Sequence, residues 1–475
     1  MFQRMLLGWV LLLLFSCSKK AELPTDRKPN VIILLADQWR AQATAYAGDP
    51  NVKTPNIDRL ASQSINFRNA VSGMPVCCPF RASLMTGQRP LTHGVFMNDV
   101  QLDTNAVSLG KVFAAAGYRT GYIGKWHLDG HGRLQFIPPG ERRQGFQYWK
   151  GNECTHNYNE SVYYDNADSS RLIWEGYDAF AQTEDAIGYL TQNAEKEDPF
   201  LLVLSWGTPH APYHTAPEAY RSQYDSAAMV LRPNVPDQMA GRVKKDLSGY
   251  YAHATALDDM VGKIRNSLTQ NQLDENTIIL LTADHGDLLG SQGAYKKQQP
   301  YEESIRVPML YYVPSDLGGK PGPRNALMNS EDIMPSLLGL CNIPVPETVE
   351  GMDFSKDILG LEAIQDTLAL ITCVQPFGQW NKPRHGAREY RGLRTLRYTY
   401  TRDLNGPWLL FDNETDPYQL NNLIGKPEFA SLSGHLDELL SRQLQETNDA
   451  FLPGLEYIAQ WGYPLDETGT VPYFH

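Results

Sequence analysis

Several apolar runs in this chain end on side chains that can do chemistry. Asn30 to Ala36 is followed by Asp37 and Gln38, Thr120 to Gly124 by Lys125 and His127, Phe200 to Trp206 by His210, and Thr277 to Ala283 by Asp284 and His285. Carboxylates hold hard cations, lysines attract anions, and histidines exchange protons near neutral pH. Core packing does not ask for such residues, because a buried charge without a partner is costly. A further stretch, Cys77-Cys78-Pro79-Phe80-Arg81 closing on Thr86-Gly87, sets a thiol ahead of proline and arginine.

The runs are short, apolar and rich in β-branched residues, which predicts buried strands. Between them lie helical patterns, from Ala106 to Ala116 with a stop at Gly117, and from Ser248 to Leu268 carrying Asp258 and Asp259. Strands alternating with helices predict an α/β fold with a large, mainly parallel sheet flanked by helices. Ligands of such sheets bind beyond the carboxyl ends of the strands, where each polar cluster above would stand. From about Thr372 the pattern changes. Arg391 to Tyr400 reads as one alternating strand, Trp408 to Asp412 as a strand leading to a turn at Asp416-Pro417, and Glu428 to Glu446 as a helix. These predict a smaller C-terminal subdomain of antiparallel sheet plus helix.

The chain has 475 residues, enough for a large core and a second smaller unit. Its formal net charge of -12 argues against nucleic acid as a partner. An anionic substrate must then be drawn by a local basic pocket. Arg4, the apolar run to Phe15, and Ser16-Cys17 read as a secretory signal that ends in a lipobox-like site. That reading predicts a lipoprotein signal peptide over 1–16, a lipid anchor on Cys17, a tether over 17–28, and an exported bacterial lipoprotein in the periplasm or on the outer-membrane surface. Among six cysteines, Cys78, Cys154, Cys341 and Cys373 are scattered and do not read as a disulfide scaffold.

The segment from Cys77 to Arg81 resembles the signature of the formylglycine-dependent (type I) sulfatases of the alkaline phosphatase-like superfamily. Ala283-Asp284-His285-Gly286, Lys125-Trp126-His127, Pro209-His210-Ala211-Pro212, Gly293 to Lys297, and the Leu410-Phe411-Asp412 to Asp416-Pro417 turn are similar to further segments of that family, in the same order. The resemblance implies a catalytic domain over 29–371, a subdomain over 372–475, and oxidation of Cys77 to formylglycine (3-oxoalanine) by a maturation enzyme. It implies a divalent metal, most simply Ca2+, held by Asp37, Gln38, the oxidised Cys77, Asp284 and His285. Gln38 stands where many relatives have a second aspartate, one negative charge fewer.

The resemblance also implies that Arg81 and Lys125 hold the hydrated aldehyde and metal while Lys297 binds the sulfate. One hydroxyl of the hydrate would attack sulfur as His210 protonates the departing oxygen. His127 would then take a proton from the second hydroxyl, releasing sulfate. The implied activity is removal of sulfate from a sulfated carbohydrate. Alternatives are a phosphonate monoester or phosphodiester hydrolase on the same scaffold and a noncatalytic binder of sulfated glycans. Asn98, Asp99, His131 and His214 lie near these segments and would touch substrate or serve turns. His93 lies in a family-like segment and receives no chemical role. Arg384, His385 and Arg388 would reach the pocket rim or form a solvated turn. Trp126, Trp149, Tyr148, Trp206 and Trp380 are expected to stack on sugar rings or to fill the core.

Overall fold

A computed structural model describes residues 28–365, 367–380, 386 and 388–472. The signal segment, Cys17, the tether up to residue 27, Arg384 and His385 lie outside the described residues. The larger sheet contains β1 (Asn30–Asp37), β2 (Ile65–Phe67), β3 (Arg119–Lys125), β4 (Tyr148–Asn152), β5 (Val162–Asp165), β6 (Leu172–Ile173), β7 (Phe200–Pro209), β8 (Thr277–Ala283), β9 (Met309–Tyr312) and β10 (Gly322–Arg324). Its order is β10-β2-β9-β8-β1-β7-β3-β4-β5-β6. The centre, β8-β1-β7-β3-β4, is parallel throughout, and antiparallel pairing enters only where β9 and β5 meet their neighbours.

Every residue of β1, β7 and β8 is buried, so both faces of the sheet centre are covered, as their unbroken apolar sequences require. The helices Asp178–Asn193 and Ala240–Gln270 pack on each other and on β7. Asp258, on the longer of these, accepts from the backbone N–H groups of Asn56 and Ile57 at 3.1 and 2.7 Å, and so caps the helix Pro55–Ser62. The helix Cys77–Thr86 is buried along its whole length and packs against the helices Leu109–Ala115 and Ile333–Leu340. It ends at Gly87, whose φ of +64° only glycine adopts readily and whose N–H bonds the Ser83 carbonyl at 2.8 Å.

The smaller sheet has the order β11 (Ala369–Cys373), β12 (Tyr390–Arg394), β13 (Tyr398–Asp403), β14 (Gly406–Asp412), antiparallel throughout. The division expected at 371/372 passes through β11. The single strand expected from Arg391 to Tyr400 is a hairpin. Its turn is closed by the Thr395 N–H to the Tyr398 carbonyl at 2.8 Å and by the Tyr398 N–H to Thr395 Oγ1 at 2.9 Å. The turn Thr395 to Tyr398 contains no Gly, Pro, Asn or Asp, which hides it from the sequence pattern. The helix Ala430–Glu446 lays Leu436, Leu440 and Leu444, one every four residues, on Leu393, Tyr400 and Leu410.

The two units are joined by buried charge. Arg394 on β12 donates to both oxygens of Glu302, at 2.7 and 3.3 Å, and Gln419 Oε1 accepts from the Glu302 N–H. Arg306 adds a bond to Glu302 at 3.2 Å. Removing one partner leaves the other charge buried and underpaired, which costs several kcal/mol, whereas an apolar replacement of both does not. Arg394→Ala is therefore expected to lose about 3 kcal/mol of stability, read as a lower melting temperature, and the double variant Glu302→Leu/Arg394→Met is expected to lose less than the single one.

Candidate functional site

The sheet order alone brings four chain segments to one edge. Ala36 of β1 is in register with Ala283 of β8, so Asp37 stands beside Asp284. Asp37 is in register with Pro209 on the other side, next to His210. Gly124 pairs with Ser205, which sets Lys125 one strand further along. Gly124 has φ of +100°, and a Cβ there would lie 2.0 Å from the Ser205 carbonyl oxygen, so only glycine lets β3 approach β7 at this point.

Cys77, the first residue of its helix, points into this edge. Its Sγ lies 3.2 Å from His285 Nε2 and 3.9 Å from Asp37 Oδ1. Burial and Asp37 push its pKa up, but Lys125, Lys297 and His285 outweigh them and hold the thiol well below its ordinary range. One helical turn on, Arg81 donates to Asp284 Oδ2 from Nε at 3.2 Å and from Nη2 at 3.1 Å, and to Asp37 Oδ2 at 3.3 Å. Its Nη1 reaches the Lys125 carbonyl at 2.8 Å and Ser205 Oγ at 2.7 Å. Lys125 Nζ contacts Asp37 Oδ2 at 2.5 Å. Burial disfavours the Asp37 charge, yet Lys125, with His210, Arg81 and His285, holds its carboxyl well below the usual range. Asp284 moves the other way, raised by burial and by the charge of Asp37.

Gln38 has a left-handed backbone, φ +66°, and no exposure. Its N–H donates to Asp284 Oδ1 at 3.0 Å, and its side-chain Nε2 donates to Asp287 Oδ2 at 2.6 Å. That bond fixes the amide so that Oε1 faces the site, where Lys297 Nζ donates to it at 2.8 Å. Asp287 is itself held by the Tyr213 hydroxyl and by the N–H groups of Leu289 and Lys296. His285 Nδ1 lies 2.9 Å from the Gly286 carbonyl, an acceptor, so Nδ1 carries the proton and Nε2 offers a lone pair. One ligand atom from each of Asp37, Cys77, Asp284 and His285 falls within 4.8 Å of the others, all buried. With Gln38 Oε1 beside them, this largely oxygen donor set fits a hard divalent cation.

His210 and Lys297 are the more open members of the cluster, at 8 % and 6 % exposure. His210 Nδ1 donates to the Ala211 carbonyl at 2.8 Å, and Lys297 Nζ lies 3.1 Å from Nε2. Burial, then Lys297 and His156, press the His210 pKa well below 6.5. The His156 ring stacks on that of His210, with centroids 4.4 Å apart and planes within 7°. His127 lies on the other flank, with Nε2 3.3 Å from Asp99 Oδ1. Asp99 is gripped by Arg133 through bonds of 2.8 and 2.7 Å.

The structure thus gathers Asp37, Gln38, Cys77, Arg81, Lys125, His210, Asp284, His285 and Lys297 into one contiguous network, with His127 beside it. Other candidates fall elsewhere. His131 and His214 are exposed, and His93 bonds Ser83 Oγ and the Val95 N–H within the fold. Asn98 caps Cys78 through its backbone N–H at 3.1 Å. Arg388 pairs with Asp403 over the Trp408 ring. Trp126, Trp149 and Trp206 are core residues at 0, 0 and 1 % exposure, Trp380 is buried, and Tyr148 packs on Tyr189, so these rings fill the core rather than line a sugar site. Cys77, Cys78, Cys154, Cys341 and Cys373 are free thiols. Sequence reading missed Asp287, Ser205, Arg133 and His156. Only Asp287 carried a signal, as another carboxylate directly after Asp284-His285-Gly286.

Comparison with known proteins agrees with this geometry. Residues 29–343 match the model of the sulfatase family, and residues 290–446 match that of the N-sulphoglucosamine sulphohydrolase C-terminal region. An ulvan-active sulfatase of Formosa agariphila is 44 % identical over 97 % of this chain and 91 % of its own length. An endo-4-O-sulfatase of Bacteroides thetaiotaomicron is 30 % identical over 83 % of this chain and 88 % of its own. The crystal structure of a yidJ sulfatase candidate from Bacteroides fragilis superposes with a TM-score of 0.82 at 32 % identity, covering 93 % of this chain and 99 % of that one.

Asp287 accepts from Gln38 Nε2 while Lys297 donates to Oε1, so Asp287→Asn removes one of the two holds on the amide and lets its NH2 turn toward the cation position. Loss of such a supporting group costs about 10-fold or more in metal affinity. Calorimetric titration with a divalent cation is expected to show that loss, with Asp284→Asn more severe.

Proposed function

The chain belongs to the sulfatase family, whose members are sulfuric ester hydrolases, and we propose that it removes sulfate from a sulfated carbohydrate through a formylglycine made from Cys77. One observation carries this reading: the Cys77 thiol begins a buried helix, 3.2 Å from His285 Nε2, in a pocket that also holds two carboxylates and two lysines. Support for the substrate class comes from the names of the ulvan-active and endo-4-O-sulfatase relatives. Oxygen donors from Asp37, Gln38 and Asp284 favour Ca2+ as the cation. The reading includes a maturation enzyme that oxidises Cys77, export as a bacterial lipoprotein, and anchoring through Cys17.

When present, the cation and the hydrated aldehyde supply Lewis acidity and a hydroxyl nucleophile. The chain's own residues do the rest. Lys125 and Arg81 hold the Asp37 charge and add positive potential where a sulfate group carries negative charge. Lys297 can turn from Gln38 and His210 toward a sulfate oxygen. That move removes the group that now occupies His210 Nε2 and brings in an anion that favours protonated imidazole, so substrate binding raises the proton affinity of the histidine next to the leaving oxygen. His127, on the opposite flank, takes up a proton at the hydroxyl side.

Mass spectrometry of the peptide containing Cys77, from protein made in its native host, is expected to show the aldehyde, and an unmodified thiol would sink the reading. Cys77→Ala is expected to abolish hydrolysis of aryl sulfates and sulfated oligosaccharides while leaving the melting temperature near that of the parent. Preference for an aryl phosphonate or phosphodiester over the aryl sulfate would favour the phosphoryl alternative. His210→Ala is expected to slow turnover by roughly 100-fold or more on substrates with alcohol leaving groups, and by much less on nitrophenyl sulfate, whose leaving group needs no proton.

A further inference from the structure

Asp99 and Arg133 take no part in the reading above, yet they are tied to one of its histidines. We propose that Asp99, clamped by Arg133, is a positioning residue for His127: it holds the proton on Nε2 and leaves Nδ1 as the nitrogen that accepts a proton from the reacting hydroxyl. The inference rests on the proposed role of His127.

The geometry is specific. His127 is 1 % exposed, and its Nδ1 is buried with no hydrogen-bond partner, whereas Nε2 faces Asp99 Oδ1 at 3.3 Å. A buried polar nitrogen without a partner is uncommon and calls for a ligand or a function. Arg133 meets Asp99 in a two-pronged pair, Nε to Oδ1 at 2.8 Å and Nη2 to Oδ2 at 2.7 Å, which fixes the carboxylate plane. Asp99 and His127 both have left-handed backbones, φ +63° and +58°. Non-glycine residues in that region are uncommon and are kept where the surroundings demand them.

Asp99 is further tied to the nucleophile's helix, since its N–H lies 3.3 Å from Cys78 Sγ. The groups facing His127 are Lys125, Cys78, Cys154, Glu153 and the Asp99–Arg133 pair. Burial opposes ionisation of Asp99, but Arg133 and His127 hold it well below the ordinary carboxyl range, so it only accepts. An acceptor at Nε2 selects the tautomer with its lone pair on Nδ1.

The test uses the full-length protein with matched formylglycine content. Asp99→Asn is expected to lower kcat roughly 10- to 100-fold with KM nearly unchanged. It should move the acidic limb of the kcat profile to lower pH, because the imidazolium loses its carboxylate. Arg133→Gln should move that limb to higher pH, because the carboxylate keeps its charge and loses its competing partner. An unchanged limb in both variants, or an effect confined to KM, overturns the proposal and makes Asp99 a structural or substrate-contact residue. Nitrogen-15 shifts of His127 give a readout independent of turnover, so they stand even if the parent lacks sulfatase activity or Asp99→Asn fails to fold. In the parent protein, at a pH where the ring is neutral, they should report the proton on Nε2, and a neutral ring with its proton on Nδ1 overturns the inference.

Discussion

The contact on which the site depends is the double grip of Arg81 on Asp37 and Asp284. Both carboxylates are fully buried and stand at adjacent strand tips, so their mutual repulsion and desolvation must be offset from within the protein. Arg81 bridges them with a planar fork and Lys125 adds a second positive charge on Asp37, while Asp284, held by Arg81 and by the Gln38 N–H, has its carboxyl pushed up by burial and by Asp37. A divalent cation would add positive charge beside both carboxylates.

This constraint propagates outward. Arg81 reaches both aspartates because it lies one turn after Cys77 on a helix with no exposed face, and that helix keeps its place because neighbouring helices and the Gly87 turn bury it. Arg81 also holds the Lys125 carbonyl and Ser205, so the helix that carries the thiol and the strands that carry the charges are locked together. Ser72 adds a bond of 2.7 Å to the Asp284 carbonyl from the loop before the helix. The Cys77 position and the charged strand tips are therefore held as one unit, which suits catalysis that relies on fixed dipoles rather than on reorganisation.

Much of this was legible in the sequence because strand tips announce themselves. Asp37, Lys125 and Asp284 each follow an unbroken apolar run, and the break in pattern marks the tip. The bounds of β1 and β8 matched for the same reason. The partners in loops were not legible. Arg133 meets Asp99 across 34 positions and His156 meets His210 from another connection, and no local periodicity encodes either meeting. The long helix begins at Ala240 rather than Ser248 because its first turns sit at the exposed margin, where the apolar repeat is weak. The aromatic residues misled in the opposite direction: frequency along a chain says nothing of depth, and Trp126, Trp149 and Tyr122 pack on one another in the core.

In the proposed mechanism the two flanking histidines divide the work of acid and base. His210 lies beside Lys297 and under His156, so burial and like charge both drive protons off it until an anion arrives. His127 is equally buried, but Cys154, Cys78 and the bond to Asp99 outweigh burial and draw a proton to it. Identical side chains thus shift in opposite directions, set by what stands within one bond of each ring, and His127 accepts a proton only in its neutral form. A sulfate ester entering between them cancels the charge of Lys297 and leaves the surroundings of Asp99 untouched. In that mechanism its binding would raise the proton affinity of His210 and leave His127 with the Asp99–Arg133 pair that holds it.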